Sequence, residues 1–178
     1  MQRICFGFLE WEKRDCVSFL LISLFLYLHL VFAGFPLIDW DSGRYLSGAP
    51  SPQALTLLCY LLKPLVTFIG PWGFAIFQIS ILTYTVVSVL KFFNQNAMVG
   101  IISIAISIAG YFAISVMMDI YTVIGLLALF LILNDNKDIF LYLIISACYI
   151  AHPENLLLFP LCALIYLAAI DRDPFPAA

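Results

Sequence analysis

Long apolar segments are the feature that most restricts how this chain can fold. An α-helix needs roughly 20 apolar residues to cross a bilayer, and three segments of about that length contain almost no charged residue. Three shorter apolar segments follow, separated by polar turns. The predicted membrane segments are, in chain order, 16–35, 72–93, 98–117, 120–133, 139–151 and 155–170. We therefore predict an all-α fold, a polytopic transmembrane helical bundle in which residues 1–178 form a single domain.

Composition supports a membrane protein and argues against a soluble one. Of the 178 residues, 64% are hydrophobic and only 11% are charged, whereas about a quarter of the residues in a soluble domain are charged. The formal net charge is −3, and no basic segment is interleaved with aromatic residues, so nucleic acid is not an expected partner. The five cysteines form no C-x-x-C pair, and we interpret them as small packing residues.

Residues 36–71 form the longest connection between two predicted membrane segments. Its first part, 36–53, is polar, whereas 54–69 is apolar and contains Lys63-Pro64 near its middle. A proline inside a helix removes a backbone hydrogen bond. Lys63-Pro64 would therefore interrupt a membrane span, and we expect an interfacial or re-entrant helix over 54–69 rather than another span.

The positions of Lys and Arg predict which side of the membrane each connection faces. With a cytoplasmic N-terminus and six crossings, the cytoplasmic side and its span ends contain Arg3, Lys13, Arg14, Lys91, Lys137 and Arg172. Only Arg44 and Lys63 then lie on the exoplasmic side. The loop 36–71, Asp119 and the turn before residue 155 are consequently expected on the exoplasmic face.

The exoplasmic loop contains two carboxylates and an arginine close together. Asp39 and Asp41 are two residues apart, and Arg44 follows them. A carboxylate can accept the proton of a hydroxyl group, and an arginine guanidinium matches the geometry of a phosphate. The structural alternative is a solvated loop with one surface ion pair, which stabilises a fold by about 0–1 kcal/mol.

Two later turns on the same predicted face also contain polar residues. Asp119 begins the segment 120–133, where it is either an ordinary helix N-cap or an ionisable group that takes part in a site. His152, Glu154 and Asn155 lie next to one another around a proline. They form either a capped turn or part of a binding site, and they do not identify a metal.

Two features inside the membrane segments have structural interpretations. A lone histidine, His29, is expected to be packed and hydrogen-bonded, and the alternative is an ion pathway in a transporter. The chain has no convincing internal repeat of the kind found in many transporters. Ser103, Ser107 and Gly110 share one helix face, which is typical of close helix packing.

The order of these features resembles the N-terminal half of polytopic GT-C-type glycosyltransferases. The segments that carry the resemblance are 39–45, for the acidic loop, 54–69, for the interfacial helix, 72–78, for the start of the second span, and the turns 118–121 and 152–155. The resemblance implies sugar transfer from a polyprenyl-phosphate-linked donor at the exoplasmic face. Asp39 or Asp41 is then the catalytic base, and Arg44 contacts phosphate.

The resemblance also sets the expected partners. These are the lipid bilayer, the polyprenyl-phosphate sugar donor and, in the alternative below, another membrane subunit. The remaining candidate substrate-binding residues are Asp119, His152, Glu154 and Asn155. Only some GT-C enzymes use a divalent metal, so the cofactor stays open and no metal ligand is assigned. GT-C enzymes are longer than this chain, so the alternative function is a small non-catalytic membrane subunit that packs in a larger complex.

Overall fold

The computed structural model describes residues 11–32, 34, 56–107, 119–134, 138–151 and 155–170. Within these ranges the chain forms six helices and no strand. They are α1 (Lys13–Phe32), α2 (Thr56–Phe92), α3 (Ala97–Ile106), α4 (Asp119–Leu133), α5 (Ile139–Ala151) and α6 (Asn155–Ile170). The all-α prediction is confirmed for the described residues, and α5 and α6 begin and end where the apolar segments 139–151 and 155–170 do.

Two of the described helices are long and apolar enough to cross a membrane. They are Lys13–Phe32, which is α1, and Thr67–Phe92, the later part of α2. The other apolar helices in the described ranges have 10–17 residues, which is shorter than the roughly 20 residues of an ordinary span. Helix α3 ends at Ile106, and residues 108–117 of the predicted third segment lie outside the described residues.

Helix α2 combines the predicted interfacial helix with the second membrane segment, and the two parts meet at a break. The helix continues through Lys63-Pro64, as the helix predicted over 54–69 requires. The break lies at Gly70, whose φ is 70° and ψ is 173°. Glycine adopts a positive φ without a steric penalty, and the proline that follows disfavours the helical conformation at this position.

One end of the bundle brings together the start of α1, the end of α2 and the start of α5. This Lys91 end consists of residues 11–15, 84–96, 134, 138–140 and 166. Lys91 Nζ lies 3.8 Å from Asp15 Oδ2, so α1 and α2 run antiparallel. Tyr84 donates a hydrogen bond to Asp138, which places the start of α5 beside the same part of α2.

The Asn155 end lies at the other end of α4 and α6 and consists of residues 119–122, 148–151 and 155. Thr122 and Asn155 are hydrogen-bonded there, whereas Tyr166 Oη donates to Asn134 Oδ1 at 2.6 Å at the Lys91 end. Helices α4 and α6 therefore run parallel. The 15 residues of α4 separate the two ends by roughly 22 Å, at 1.5 Å per residue.

Two glycines allow close contact between helices in the core. A Cβ on Gly100 would lie 2.9 Å from the Cδ1 atoms of Ile22 and Leu90, and a Cβ on Gly125 would overlap the ring of Phe159. Helix α3 therefore packs against Ile22 of α1 and Leu90 of α2 at Gly100 too closely for a larger residue. The packing face predicted from Ser103, Ser107 and Gly110 is wrong for the two serines, which are exposed, and Gly110 lies outside the described residues.

Two predictions about single side chains have opposite outcomes. Cys148 is 1% exposed, which confirms it as a packing residue. His29 was expected to be packed and is instead exposed, in the last turn of α1. The partial negative charge at the C-terminal end of a helix is a favourable place for a basic side chain, so His29 needs no buried partner.

Candidate functional site

The structure describes two of the seven predicted site residues. Those outside the described ranges are Asp39, Asp41, Arg44, His152 and Glu154, and their roles remain predictions. Asp119 is the first residue of α4 and Asn155 is the first residue of α6. Their positions define where a site could form in the described part of the fold.

Asn155 is fully buried and connects three helices. Its side chain is 0% exposed. The Nδ2 atom donates a hydrogen bond to the carbonyl oxygen of Cys148 at 2.7 Å, which links α6 to α5. The Oδ1 atom accepts a hydrogen bond from Thr122 Oγ1 at 3.0 Å, which links α6 to α4. We name Asn155, Thr122 and the Cys148 carbonyl the Asn155 bracket.

The bracket follows from an unsatisfied helix end. Helix α5 ends at Ala151, so the carbonyl of Cys148 is one of the last four, which have no partner inside the helix. A buried carbonyl requires a donor, and only residues 152–154 separate α5 from Asn155. An asparagine amide is both donor and acceptor, whereas an ionised carboxylate of similar size only accepts. Asparagine therefore suits this position because it satisfies a carbonyl and a hydroxyl together.

The bracket brings two predicted site segments to the same end of the bundle. Asp119 lies one helical turn before Thr122, and the turn 152–154 directly precedes Asn155. The starts of α4 and α6 are also side by side. Helix starts carry a partial positive charge, and paired starts favour an anion such as phosphate.

A second polar cluster lies at the Lys91 end and was not predicted. Asp138 is 5% exposed and caps α5, since its Oδ1 accepts from the backbone nitrogen of Phe140 at 3.0 Å. Tyr84 donates to its other oxygen, and the ring of Trp11 stacks on Tyr84 with centroids 5.2 Å apart. The sequence signal for the cap was an aspartate directly before an apolar segment. Nothing in the sequence indicated that Tyr84 is its partner.

An apolar groove of about 500 Å³ runs beside this cluster, between α1, α2 and α5. Phe19, Phe77 and Leu143 are among its lining residues. The Tyr84 hydroxyl is already engaged by Asp138. The groove therefore suits a hydrocarbon chain better than a polar substrate, and the polar cluster holds α5 against α2.

The resemblance to GT-C-type enzymes depends on short segments, and only some of them lie in the described residues. Residues 72–78 are helical within α2, and 119–121 form the first turn of α4. Both are compatible with the resemblance, and neither is specific to it. Comparison with known protein families, curated proteins and solved structures finds no match to this chain.

Proposed function

We propose that this chain is a multi-pass membrane protein that acts as a GT-C-like glycosyltransferase, or as the N-terminal module of one. It transfers a sugar from a polyprenyl-phosphate-linked donor at the exoplasmic face. Asp39 or Asp41 accepts the proton of the acceptor hydroxyl, and Arg44 binds the donor phosphate. The N-terminus and the Lys91 end are cytoplasmic, and the Asn155 end is exoplasmic.

Exposed apolar side chains support the membrane part of the proposal. Leu20 on α1 is 66% exposed, and Leu157 on α6 is 80% exposed. Other exposed apolar side chains on these two helices are Leu24, Leu28, Val31, Phe32, Leu161, Leu164, Ile165 and Leu167. Extended apolar surface is uncommon on soluble monomers. A bilayer accommodates this surface without a desolvation penalty.

The orientation is supported by the described basic residues. Lys13, Arg14 and Lys91 all lie at the Lys91 end of the bundle. Basic residues are concentrated on the cytoplasmic side of membrane proteins. In the proposed topology the Asn155 end is then exoplasmic, on the side where lipid-linked sugar donors are used by the enzymes that the sequence resembles.

The Asn155 bracket is the single observation that carries the enzymatic part. It joins the starts of α4 and α6, so two segments that are far apart in sequence and contain candidate substrate-binding residues lie at one end. A site assembled from several helix starts can orient a phosphate-linked donor toward a base. The acidic loop 36–53 supplies that base.

Orientation is tested first, by labelling single cysteines in intact cells on a cysteine-free background. Cysteines replace Ser42 and Glu154 for the Asn155 side, and Gln95 and Asn136 for the Lys91 side. The impermeant reagent is expected to label positions 42 and 154 only. Labelling of 154 without 42, or of 95 and 136, contradicts the proposed topology. Asn155 itself is unsuitable for labelling because it is buried.

Activity is tested with membranes containing the chain and a panel of polyprenyl-phosphate-linked hexoses and pentoses. The double variant Asp39→Asn with Asp41→Asn is expected to lose transfer by at least about 100-fold, since general base catalysis contributes about 10²–10⁴-fold. The matched control is Asp135→Asn, in the turn after α4. Unchanged transfer in the double variant removes the assigned base.

The second candidate is a small non-catalytic membrane subunit. It is favoured by the four apolar helices of only 10–17 residues, which are short for lipid-exposed spans and would be covered by a larger partner. A stable partner that co-purifies in mild detergent, together with wild-type behaviour of the acidic-loop variants, supports this candidate. A solitary, monodisperse protein with sugar-transfer activity contradicts it.

A further inference from the structure

We propose that Asn155 is a positioning residue, whose amide sets the register of α4, α5 and α6 at the Asn155 end. It thereby fixes the starts of α4 and α6 relative to each other without binding substrate itself. The catalytic consequence rests on the proposed function. The positioning is a property of the fold and can be tested separately.

Burial of the amide is the first argument. Asn155 is 0% exposed, and both its donor and its acceptor atoms are used within the bundle at 2.7 and 3.0 Å. Water does not compete for a fully buried amide, and hydrogen bonds in a low-dielectric environment hold their partners strongly. A side chain with both functional atoms engaged in this way acts on a substrate through the residues it places.

The second argument is that packing alone does not set the register. One helical turn deeper, α4 contacts α5 and α6 at Gly125, where an added Cβ would overlap Phe159 and lie 2.9 Å from Cys148 Cβ. Apolar packing of this kind is not directional, so it keeps the helices together while allowing small shifts. The two hydrogen bonds of the bracket are directional and join specific atoms across the three helices.

The packing at Gly125 makes the proposal testable. It holds α4, α5 and α6 together when the bracket is removed, so variants of the bracket are expected to fold. Asn155→Asp keeps the size of the side chain and loses its donor to the Cys148 carbonyl. Thr122→Val keeps the shape and loses the hydroxyl, whereas Thr122→Ser keeps the hydroxyl. The matched control for the charge change is Asn136→Asp, in the turn at the Lys91 end.

The structural readout is the distance between spin labels at positions 147 and 157, measured by pulsed EPR in lipid nanodiscs. Ala147 on α5 and Leu157 on α6 are both exposed, and the native cysteines are replaced by alanine. We expect the distance distribution to shift or broaden in Asn155→Asp and Asn155→Ala, and to remain unchanged in Asn136→Asp. An unchanged distribution in both Asn155 variants overturns the proposal.

The functional readout is the split between kcat and KM for sugar transfer. A shift of the helices misplaces the residues that orient the substrate and so lowers the rate of turnover. We therefore expect kcat to fall about 10- to 100-fold in Asn155→Asp and Thr122→Val, with KM within about twofold of wild type. Thr122→Ser is expected to restore kcat, which a role in general stability does not explain. Wild-type kcat in a folded Asn155→Asp protein overturns the proposal. If the wild type transfers no sugar, the proposed function fails, and the label distances alone decide the positioning role.

Discussion

The two ends of the bundle connect their helices in different ways. At the Lys91 end, α1 and α2 are joined by charged side chains near the surface. Lys91 is 38% exposed and lies 3.8 Å from Asp15, a buried carboxylate that also accepts a hydrogen bond from the backbone nitrogen of Glu12. Arg14 donates to Asn94 at 2.7 Å on an exposed surface. At the Asn155 end, a single uncharged amide with no exposed surface joins three helices.

This difference shows that the number of polar contacts is a poor guide to their importance. Exposed ion pairs contribute about 0–1 kcal/mol, because water and salt screen them and solvate the charges after the pair is broken. A buried donor or acceptor that loses its partner costs about 1–3 kcal/mol, because no water replaces the bond. The single amide is therefore expected to matter more than the two surface contacts together.

The largest effect is expected for Asn155→Ala. It leaves the Cys148 carbonyl and the Thr122 hydroxyl without their partner, so the free energy of unfolding should fall by about 2–4 kcal/mol. Denaturant-induced unfolding in mixed micelles measures this change. The control Arg14→Met, which removes the exposed hydrogen bond to Asn94 at the Lys91 end, should change it by no more than about 0.5 kcal/mol. Equal losses in the two variants would remove the difference between the ends.

The next largest effect is expected for Tyr84→Phe, which tests a part-buried contact at the Lys91 end. The variant removes the hydroxyl that donates to Asp138 and keeps the ring that stacks on Trp11. A hydrogen bond to a carboxylate contributes about 1.5–3 kcal/mol, and a loss of this size is expected in the same unfolding assay. Tyr142→Phe, at a tyrosine that is 45% exposed, is the control. A neutral Tyr84→Phe variant would show that burial at this end is unimportant.

A matched pair of threonines separates the hydrogen bond from burial. Thr122→Val should lower the free energy of unfolding by about 1 kcal/mol, because Asn155 Oδ1 loses its donor. Thr83 is 0% exposed, and its hydroxyl has no hydrogen-bond partner among the described residues, so Thr83→Val should be neutral or stabilising. The free energies of unfolding of the two variants, measured in the same assay, test this contrast. The opposite order would contradict the importance assigned to the bracket.

The smallest effect is expected for Lys91→Met. Loss of the pair with Asp15 should cost about 0–1 kcal/mol, and the difference from wild type should decrease in 1 M salt, where the screening length is about 3 Å. Unfolding at low and high salt measures both values, with Lys13→Met as the exposed control. A larger, salt-independent loss would mean that the pair behaves as a buried contact.

Local sequence patterns predicted most of the helices. The polar segments 134–138 and 152–154 separate apolar segments that are helical in the structure. Helices end at polar residues because the unpaired backbone groups of a helix end need water or a capping side chain. The helix predicted over 54–69 and the span predicted from residue 72 meet at the break at Gly70. Glycine is free to adopt a positive φ, and Pro71 disfavours the helical conformation of the residue before it.

The partners of the polar residues could not be predicted. Asn155 was identified as a candidate site residue from its place beside His152 and Glu154, and its bonds to Thr122 and Cys148 could not be inferred. Tyr84 and Asp138 are 54 residues apart in the sequence and belong to helices with no shared motif. Such pairs depend on the relative position of the helices, which no local pattern encodes.

The sequence by itself determined that the chain is helical, where most of the helices lie and that much of their surface is apolar. These properties depend on the order of apolar, polar and conformationally special residues over short distances. Only the tertiary structure decided that Asn155 joins three helices, that Asp15 and Lys91 meet, and that Gly100 of α3 packs against Ile22 and Leu90. Such contacts depend on how the helices pack against one another, and packing is a property of the whole assembled bundle.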